Sequence, residues 1–307
     1  MKVSVLMTVY NDEKYLRKSI ESILHQSFTD FEFIIINDGS TDSTADILHS
    51  YSSVDNRIKV IHQSNTGMTK ALNFGLSISQ GKYIARMDSD DISFSKRLEV
   101  EVEFLDKNPD IDLIGGGAQI IDAIDNVIGL RNIGVNDPMK TLSHLNIYQH
   151  SDVMFRSSVL KKVIGYRDKF RNAQDYDLWL RISEVSKIAK IPDIIGQWRL
   201  NAGGYTIARK YEQNTETKII KKFHQQRLQK GYDDYEQYSP EPAVIHGIKI
   251  DEDQYNYIVG LYMVHSLQLK EGRTKIKPYM IKTKSIHSIL IFFISFFPKI
   301  IIKAIYR

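Results

Sequence analysis

The residues best suited to chemistry lie in Tyr83–Asp91, Tyr-Ile-Ala-Arg-Met-Asp-Ser-Asp-Asp. A run with an apolar bias leads straight into three carboxylates, Asp88, Asp90 and Asp91. Tyr83, Ile84 and Met87 suit the interior of a sheet. Unpaired carboxylates cannot be buried with them and must sit at the strand's end. In extended backbone, side chains two apart share a face, so Asp88 and Asp90 could both turn toward one cation. Hard oxygen ligands with open positions suit Mg²⁺ or Mn²⁺ holding a substrate's phosphates. An acidic turn capping a helix that begins near Phe94 would use the same residues, so the choice rests on the rest of the chain.

The elements that must position these carboxylates are legible upstream. Val3–Val9 reads as a buried strand, and Leu16, Ile20, Ile23 and Leu24 then recur at helical spacing. Phe31–Ile36 and Arg57–His62 read as strands, Thr69–Ile78 as a helix and Lys82–Met87 as a fourth strand. Strands alternating with helices predict an α/β fold with a mostly parallel, Rossmann-like sheet. In such sheets ligands bind beyond the carboxyl ends of the strands. The polar signatures fall at those ends: Thr8–Tyr10, Asn37–Asp42, Gln63–Gly67 and Asp88–Asp91. Asp38, an acceptor, would suit a donor such as the N3–H of uracil, or it is only part of a turn capped by Ser40 or Thr41. Thr8, Val9 and Tyr10 could bond to and stack on the same base. Asn65 and Gly67 could touch ribose or merely close a loop. Downstream, Ile111–Ile114 and Ala118–Ile121 read as two strands around Gly115–Gly117. That glycine run lacks the Lys-Ser/Thr of a phosphate loop. Lys210–Lys230 and Asp251–Leu269 read as polar-faced helices, joined by a proline-containing connector at Tyr238–Ala243, and Gly203–Tyr205 reads as a lid.

Composition sets the outer limits. The chain of 307 residues, 42% hydrophobic and 25% charged, is that of an ordinary globular protein. With no cysteine, disulfides, thiolate zinc sites and cysteine nucleophiles are excluded. The pattern of a first strand begins at once, with no signal peptide ahead of it, which predicts a cytoplasmic catalytic mass. The charge is uneven. Lys270–Arg307 carries nine Lys/Arg and one acid, a net of +8, leaving 32 basic and 36 acidic residues elsewhere. The tail also holds Ile289–Phe297, too short to span a bilayer, which takes ~20 apolar residues. Apolar side chains among lysines predict an interfacial anchor on the inner face of an anionic cell membrane, or else a terminal helix packed on the body or on a second subunit. The acidic body, and a basic excess interleaved with aliphatics, argue against nucleic acid.

Five segments together resemble the inverting family-2 glycosyltransferases of the GT-A fold, of the kind that build bacterial surface polysaccharides. They are Val3–Asn11, Ile36–Asp42, Asn65–Asn73, Gly81–Asp91 and Gln174–Arg181, in the family's order. The resemblance covers residues 1 to about 205. It implies a GT-A domain over 1–205; the patterns beyond it give a helical extension over 206–285 and a basic apolar tail over 286–307. It implies a nucleotide-sugar donor, a divalent metal (Mn²⁺ or Mg²⁺), a glycan or lipid-linked acceptor and inversion at the anomeric carbon. Position by position, it implies that Asp38 accepts from uracil, Asp88 meets the ribose, Asp90 binds metal and Asp175 is the general base. Thr8, Val9, Tyr10, Asn65, Gly67, Lys70 and Ser89 fall on the donor side, and His150, Arg199 and Asn201 on the acceptor or diphosphate side. The pattern departs at Gln174, where an acid is common, at Lys70–Asn73, and at Asn201, where histidine is common. Asp175 and Asp177 could both be acids favoured in a helix's first turn, and His150 could be a structural loop residue. A sugar nucleotidyltransferase is disfavoured, because no glycine-rich loop with a basic residue follows the first strand. A non-catalytic sugar-nucleotide sensor or scaffold remains the alternative class. The sequence leaves the sugar, the linkage and any oligomer open.

Overall fold

The computed structural model describes residues 1–131, 134–201, 209–240 and 251–296. Gly203–Tyr205 and the far end of the basic tail lie outside the described residues. The chain divides into two compact units. The first holds Met1–Ala118, Asn132–Trp198 and Tyr211–Val244.

In that unit β1 (Val3–Val9), β2 (Phe31–Asn37), β3 (Ile58–His62) and β4 (Tyr83–Asp88) alternate with α1 (Leu16–Leu24), α2 (Thr44–Ser52) and α3 (Met68–Ile78). The next elements along the chain are β5 (Ile92–Ser93), α4 (Arg97–Lys107), β6 (Ile111–Ile121), β7 (Val127–Arg131, in the second unit), α5 (Pro138–Leu142) and β8 (Val153–Arg156). Then follow α6 (Gln174–Val185), β9 (Lys187–Arg199) and α7 (Lys210–Lys230). The strand order is β3-β2-β1-β4-β8-β6-β9-β5. Strands β3, β2, β1 and β4 run parallel, and β8 turns antiparallel against β4.

Every residue of β1 and β2 is buried, because both faces of the sheet are covered. Leu6, Ile34, Ile36 and Ile84 face one core with Trp179, Leu180, Ile220 and Phe223. Their alternates Val5, Met7, Phe33, Ile35 and Ala85 face another with Ile20, Ile47 and Leu98. This period of two is what a covered sheet requires.

β6 is one strand through Gly115–Gly117, where the sequence reading has two. The glycines answer to crowding instead of turning the chain. A Cβ on Gly115 would come within 2.5 Å of the Tyr148 ring, and one on Gly116 within 2.6 Å of Ile195.

The second unit holds Gln119–Arg131, Arg199–Lys210 and Ile245–Arg307. Its helices are α8 (Glu252–His265), α9 (Leu269–Thr283) and α10 (Ile286–Ile294). α8 starts in a capping box of Asp251 and Gln254. α8 and α9 touch through glycines: a Cβ on Gly260 would lie 2.9 Å from the Gly272 carbonyl. Val264, Ile276 and Ile291 form the small core. Ile286, Leu290, Phe293 and Phe296 stay exposed, at the spacing of one helix face.

Candidate functional site

Strand register builds the rim. Val9 lies beside Asn37, and Thr8 lies between Ile36 and Asp88. The chain leaving β1, the Asp38 turn and the Asp88–Asp91 turn therefore emerge side by side. Side chains lace the first two loops: the Asn11 side-chain oxygen accepts from the Thr41 N–H at 2.7 Å, and Ser40 Oγ accepts from the Asn11 N–H at 3.0 Å. Thr8 is buried here, whereas Tyr10 is 52% exposed and free to meet a planar ligand.

Asp38 is buried and faces its own chain. Its Oδ1 accepts from Gln63 Nε2 (2.7 Å) and the Thr66 N–H (2.9 Å), and its Oδ2 accepts from the Gly67 N–H (2.9 Å). It thus shapes the loop that carries Asn65 and Gly67. Gly67, at φ +91°, has open space where a Cβ would stand. Lys70 is exposed in the first turn of α3. Asp38→Ala would remove the acceptor that these part-buried N–H groups share, and with it what holds the loop. The expected result is a lower melting temperature, read by scanning calorimetry; an unchanged one would show that other groups hold the loop.

β4 ends at Asp88, and Ser89–Asp90 form a turn. The extended-backbone argument for Asp88 and Asp90 sharing one face therefore does not hold, since it needs the strand to continue. Asp88 is instead gripped. Its Oδ1 accepts from Arg86 Nη2 at 2.5 Å, and its Oδ2 accepts from Ser151 Oγ at 2.8 Å. Burial would raise its pKa, but the Arg86 charge, with the Ser151 hydrogen bond, holds it below the usual carboxylate range. Ser151 also reaches the buried Asp91 carboxylate. The Ser89 hydroxyl donates to Asp12 Oδ2 at 2.6 Å. Asp90 is half-buried on the same turn.

His150 is buried beside Asp88. Its Nε2 shares a hydrogen bond with the Tyr166 hydroxyl at 3.0 Å, and its Nδ1 lies 4.0 Å from Asp88 Oδ1. Burial, reinforced by the Arg86 charge, pushes its pKa down to about 3, so the ring is neutral. It packs edge-on against Tyr166 and Trp179.

Asp175 and Asp177 occupy the first turn of α6 and have different surroundings. Asp177 is fully buried and paired with Arg181 Nε at 2.8 Å and Arg167 Nε at 3.2 Å. Asp175 accepts from Asn146 Nδ2 at 3.0 Å. Burial pushes the Asp175 carboxyl up to about 6, against hydrogen bonds from the Tyr176 N–H and Asn146, and the charge of Asp88 adds to the rise. Asp88 and Asp175 thus feel each other's field.

Arg199 and Asn201 belong to the second unit. There the Arg199 guanidinium donates to the Asp122 carbonyl at 3.0 Å and pairs with Asp125 at 2.5 Å.

Among the described residues no three His, Cys, Asp or Glu side chains form a metal cage. The donor set on the Asp88–Asp91 turn is nevertheless hard oxygen. It fits an ion bound by one or two carboxylates plus a substrate's phosphates, as Mg²⁺ commonly is. Sequence reasoning missed Arg86, Asn146, Ser151 and Tyr166. Arg86 alone left a local signal, a charge within a buried strand two residues from an acid.

Residues 4–164 match the family described as Glycosyl transferase family 2. An Escherichia coli relative, "O-antigen biosynthesis glycosyltransferase WbnJ", is 38% identical over 182 residues, covering 59% of this chain and 71% of the relative. S. aureus TarS 1–349 in complex with UDP-GlcNAc superposes with a TM-score of 0.57 at 17% identity, covering 96% of this chain and 90% of that one. The Pyrobaculum calidifontis mannosyltransferase PcManGT, in complex with GDP-Man and Mn²⁺, gives 0.58 at 13% identity, covering 94% and 77%. At such identities the structural likeness is one of fold.

Proposed function

This chain belongs to glycosyl transferase family 2, and from that premise we propose that it moves a sugar from a UDP-sugar to a hydroxyl of a glycan or lipid-linked oligosaccharide, with inversion. The observation that carries the reading is Asp175. It is a carboxylate in the field of the Asp-x-Asp turn, and its burial makes it more basic than an ordinary aspartate. A base must be ionised yet avid for a proton near its working pH. Asp175 takes the acceptor hydroxyl's proton, and the Asn146 amide holds one carboxylate oxygen in place. Attack from the face opposite the leaving group inverts the carbon. Asp38 and the loop it braces hold the nucleotide, and Arg86 keeps Asp88 ionised beside it. Asp90 would hold a Mg²⁺ or Mn²⁺ that arrives with the diphosphate and supplies charge neutralisation to the leaving group. The glycan acceptor is supported by the role named for the E. coli relative. A panel of nucleotide sugars with Mn²⁺, read by thermal shift and nucleotide release, tests the whole: binding without any release would leave a sensor.

The acid limb of the rate profile follows from Asp175. The base acts ionised, so turnover is expected to hold above about pH 6, the pKa that burial sets, and to fall as that carboxyl protonates. The limit is tenfold per pH unit. A profile flat to pH 5 would remove Asp175 from the role.

No helix among the described residues is long and apolar enough to cross a membrane. The exposed face of Ile286, Leu290, Phe293 and Phe296, in a tail with a net charge of +8, supports docking on an anionic membrane. Deleting residues after Thr283 is expected to abolish co-sedimentation with phosphatidylserine vesicles; undiminished binding would rule this surface out.

A further inference from the structure

Helix α6 begins without a cap of its own. Its N-cap is Ala173, which makes no side-chain cap, although helix starts leave N–H groups needing partners. A carboxylate from α7, 43 to 45 residues further along the chain, holds the backbone just ahead of it. Glu216 is 7% exposed. Its Oε2 accepts from the backbone N–H groups of Arg171 (3.1 Å), Asn172 (2.8 Å) and Ala173 (2.9 Å). Its Oε1 accepts from Asn172 Nδ2 at 2.7 Å. Successive N–H groups converging on one anion form a nest. Gln213, one turn earlier on the same helix face, donates to the Asn172 carbonyl at 3.1 Å. From α3, Thr69 Oγ1 donates to the Phe170 carbonyl at 2.9 Å. The segment leading to Asp175 is therefore clamped residue by residue. α7 is fixed to α6 again two turns on, where Glu184 pairs with Arg227 at 2.8 Å and with His224 at 2.6 Å.

We propose that Glu216 is a positioning residue for transfer: it holds Arg171–Ala173 so that the Asp175 carboxylate, two residues on, is aimed at the acceptor hydroxyl. This rests on the reading of Asp175 as the base. It makes α7 part of the catalytic apparatus instead of an appendage to it. A residue of this kind governs the rate and leaves donor binding alone, because Glu216 hydrogen-bonds to Arg171–Ala173 and to none of the donor-side residues.

The test uses the full chain and four variants: Glu216→Gln, Glu216→Ala, Asp175→Asn and Ile220→Ala. Ile220 is buried on α7 and makes none of the hydrogen bonds that clamp the loop, so its truncation reports destabilisation without unclamping. Turnover is read as UDP released, with Mn²⁺, from whichever UDP-sugar of a panel reacts fastest, well below each variant's melting temperature. UDP affinity is read by calorimetry. Glu216→Gln keeps one carbonyl acceptor and is expected to lower kcat at least tenfold with the UDP Kd within twofold. Glu216→Ala should fall further, and Ile220→Ala should keep kcat despite melting earlier. If Glu216→Ala does not fold, Glu216→Gln decides. Glu216 variants with kcat within twofold of wild type, or with UDP affinity lost in proportion to rate, overturn the proposal while a dead Asp175→Asn leaves the base assignment standing. Wild-type turnover in Asp175→Asn would remove both.

Discussion

Asp175→Asn should lower turnover by about 10²–10⁴-fold, the usual worth of a positioned general base, while UDP affinity stays near wild type. The substitution keeps the shape of the side chain and removes only its capacity to take a proton. The amide can still meet Asn146, which donates to Asp175 at 3.0 Å, by presenting its own carbonyl oxygen. The fold should survive, because Glu216 holds the backbone entering the helix and the new amide keeps a carbonyl oxygen to accept with. Replacing a carboxylate that burial has made costly also relieves desolvation, so the melting temperature should hold or rise. The neighbouring Asp177→Asn gives the contrast. Asp177 is fully buried between Arg167 and Arg181, and breaking a buried ion pair costs ~3–5 kcal/mol. That variant should lose stability first and activity only as a consequence. Asp177→Asn abolishing turnover at an unchanged melting temperature, with Asp175→Asn active, would exchange the two roles.

The second large effect is expected at Asp90. Replacing it with alanine should cost at least about 10²-fold in turnover, because a metal neutralising a leaving diphosphate is worth several kcal/mol and each 1.36 kcal/mol is tenfold. A chelator applied to the wild type should do the same, and added Mn²⁺ should restore the wild type but not the variant. The independent readout is thermal. UDP with Mn²⁺ should raise the melting temperature of the wild type more than UDP alone, since a ligand of the folded state stabilises it by mass action. In Asp90→Ala the two shifts should coincide. A metal-dependent increment that survives in the variant would move the ion to other residues of the turn. Both oxygens of Asp88 are engaged, by Arg86 and Ser151.

These expectations divide according to what fixed them. The alternation of strands and helices, the burial of β1, β2 and β4, and the gathering of Thr8, Asp38 and Asp88 on one rim were written locally. Strand and helix periods are set by side chains a few residues apart, and parallel strands joined by short crossovers must bring their carboxyl ends together. The spaced motifs carried the family as well. The chain alone could not separate Asp175 from Asp177, since both suit a first helical turn. The structure gives them different surroundings: two arginines on one carboxylate, and the Asn146 side chain with the Tyr176 N–H on the other. Nor did it announce that His150 would be held neutral by burial, that Gly115–Gly117 would lie inside a continuous strand against Tyr148 and Ile195, or that Glu216 would cap a helix starting more than forty residues upstream of it. Each of these depends on a partner far along the chain. Local sequence sets what a segment prefers to be; only the closed fold settles which groups lose water and which charges face each other, and those determine a carboxylate's proton affinity.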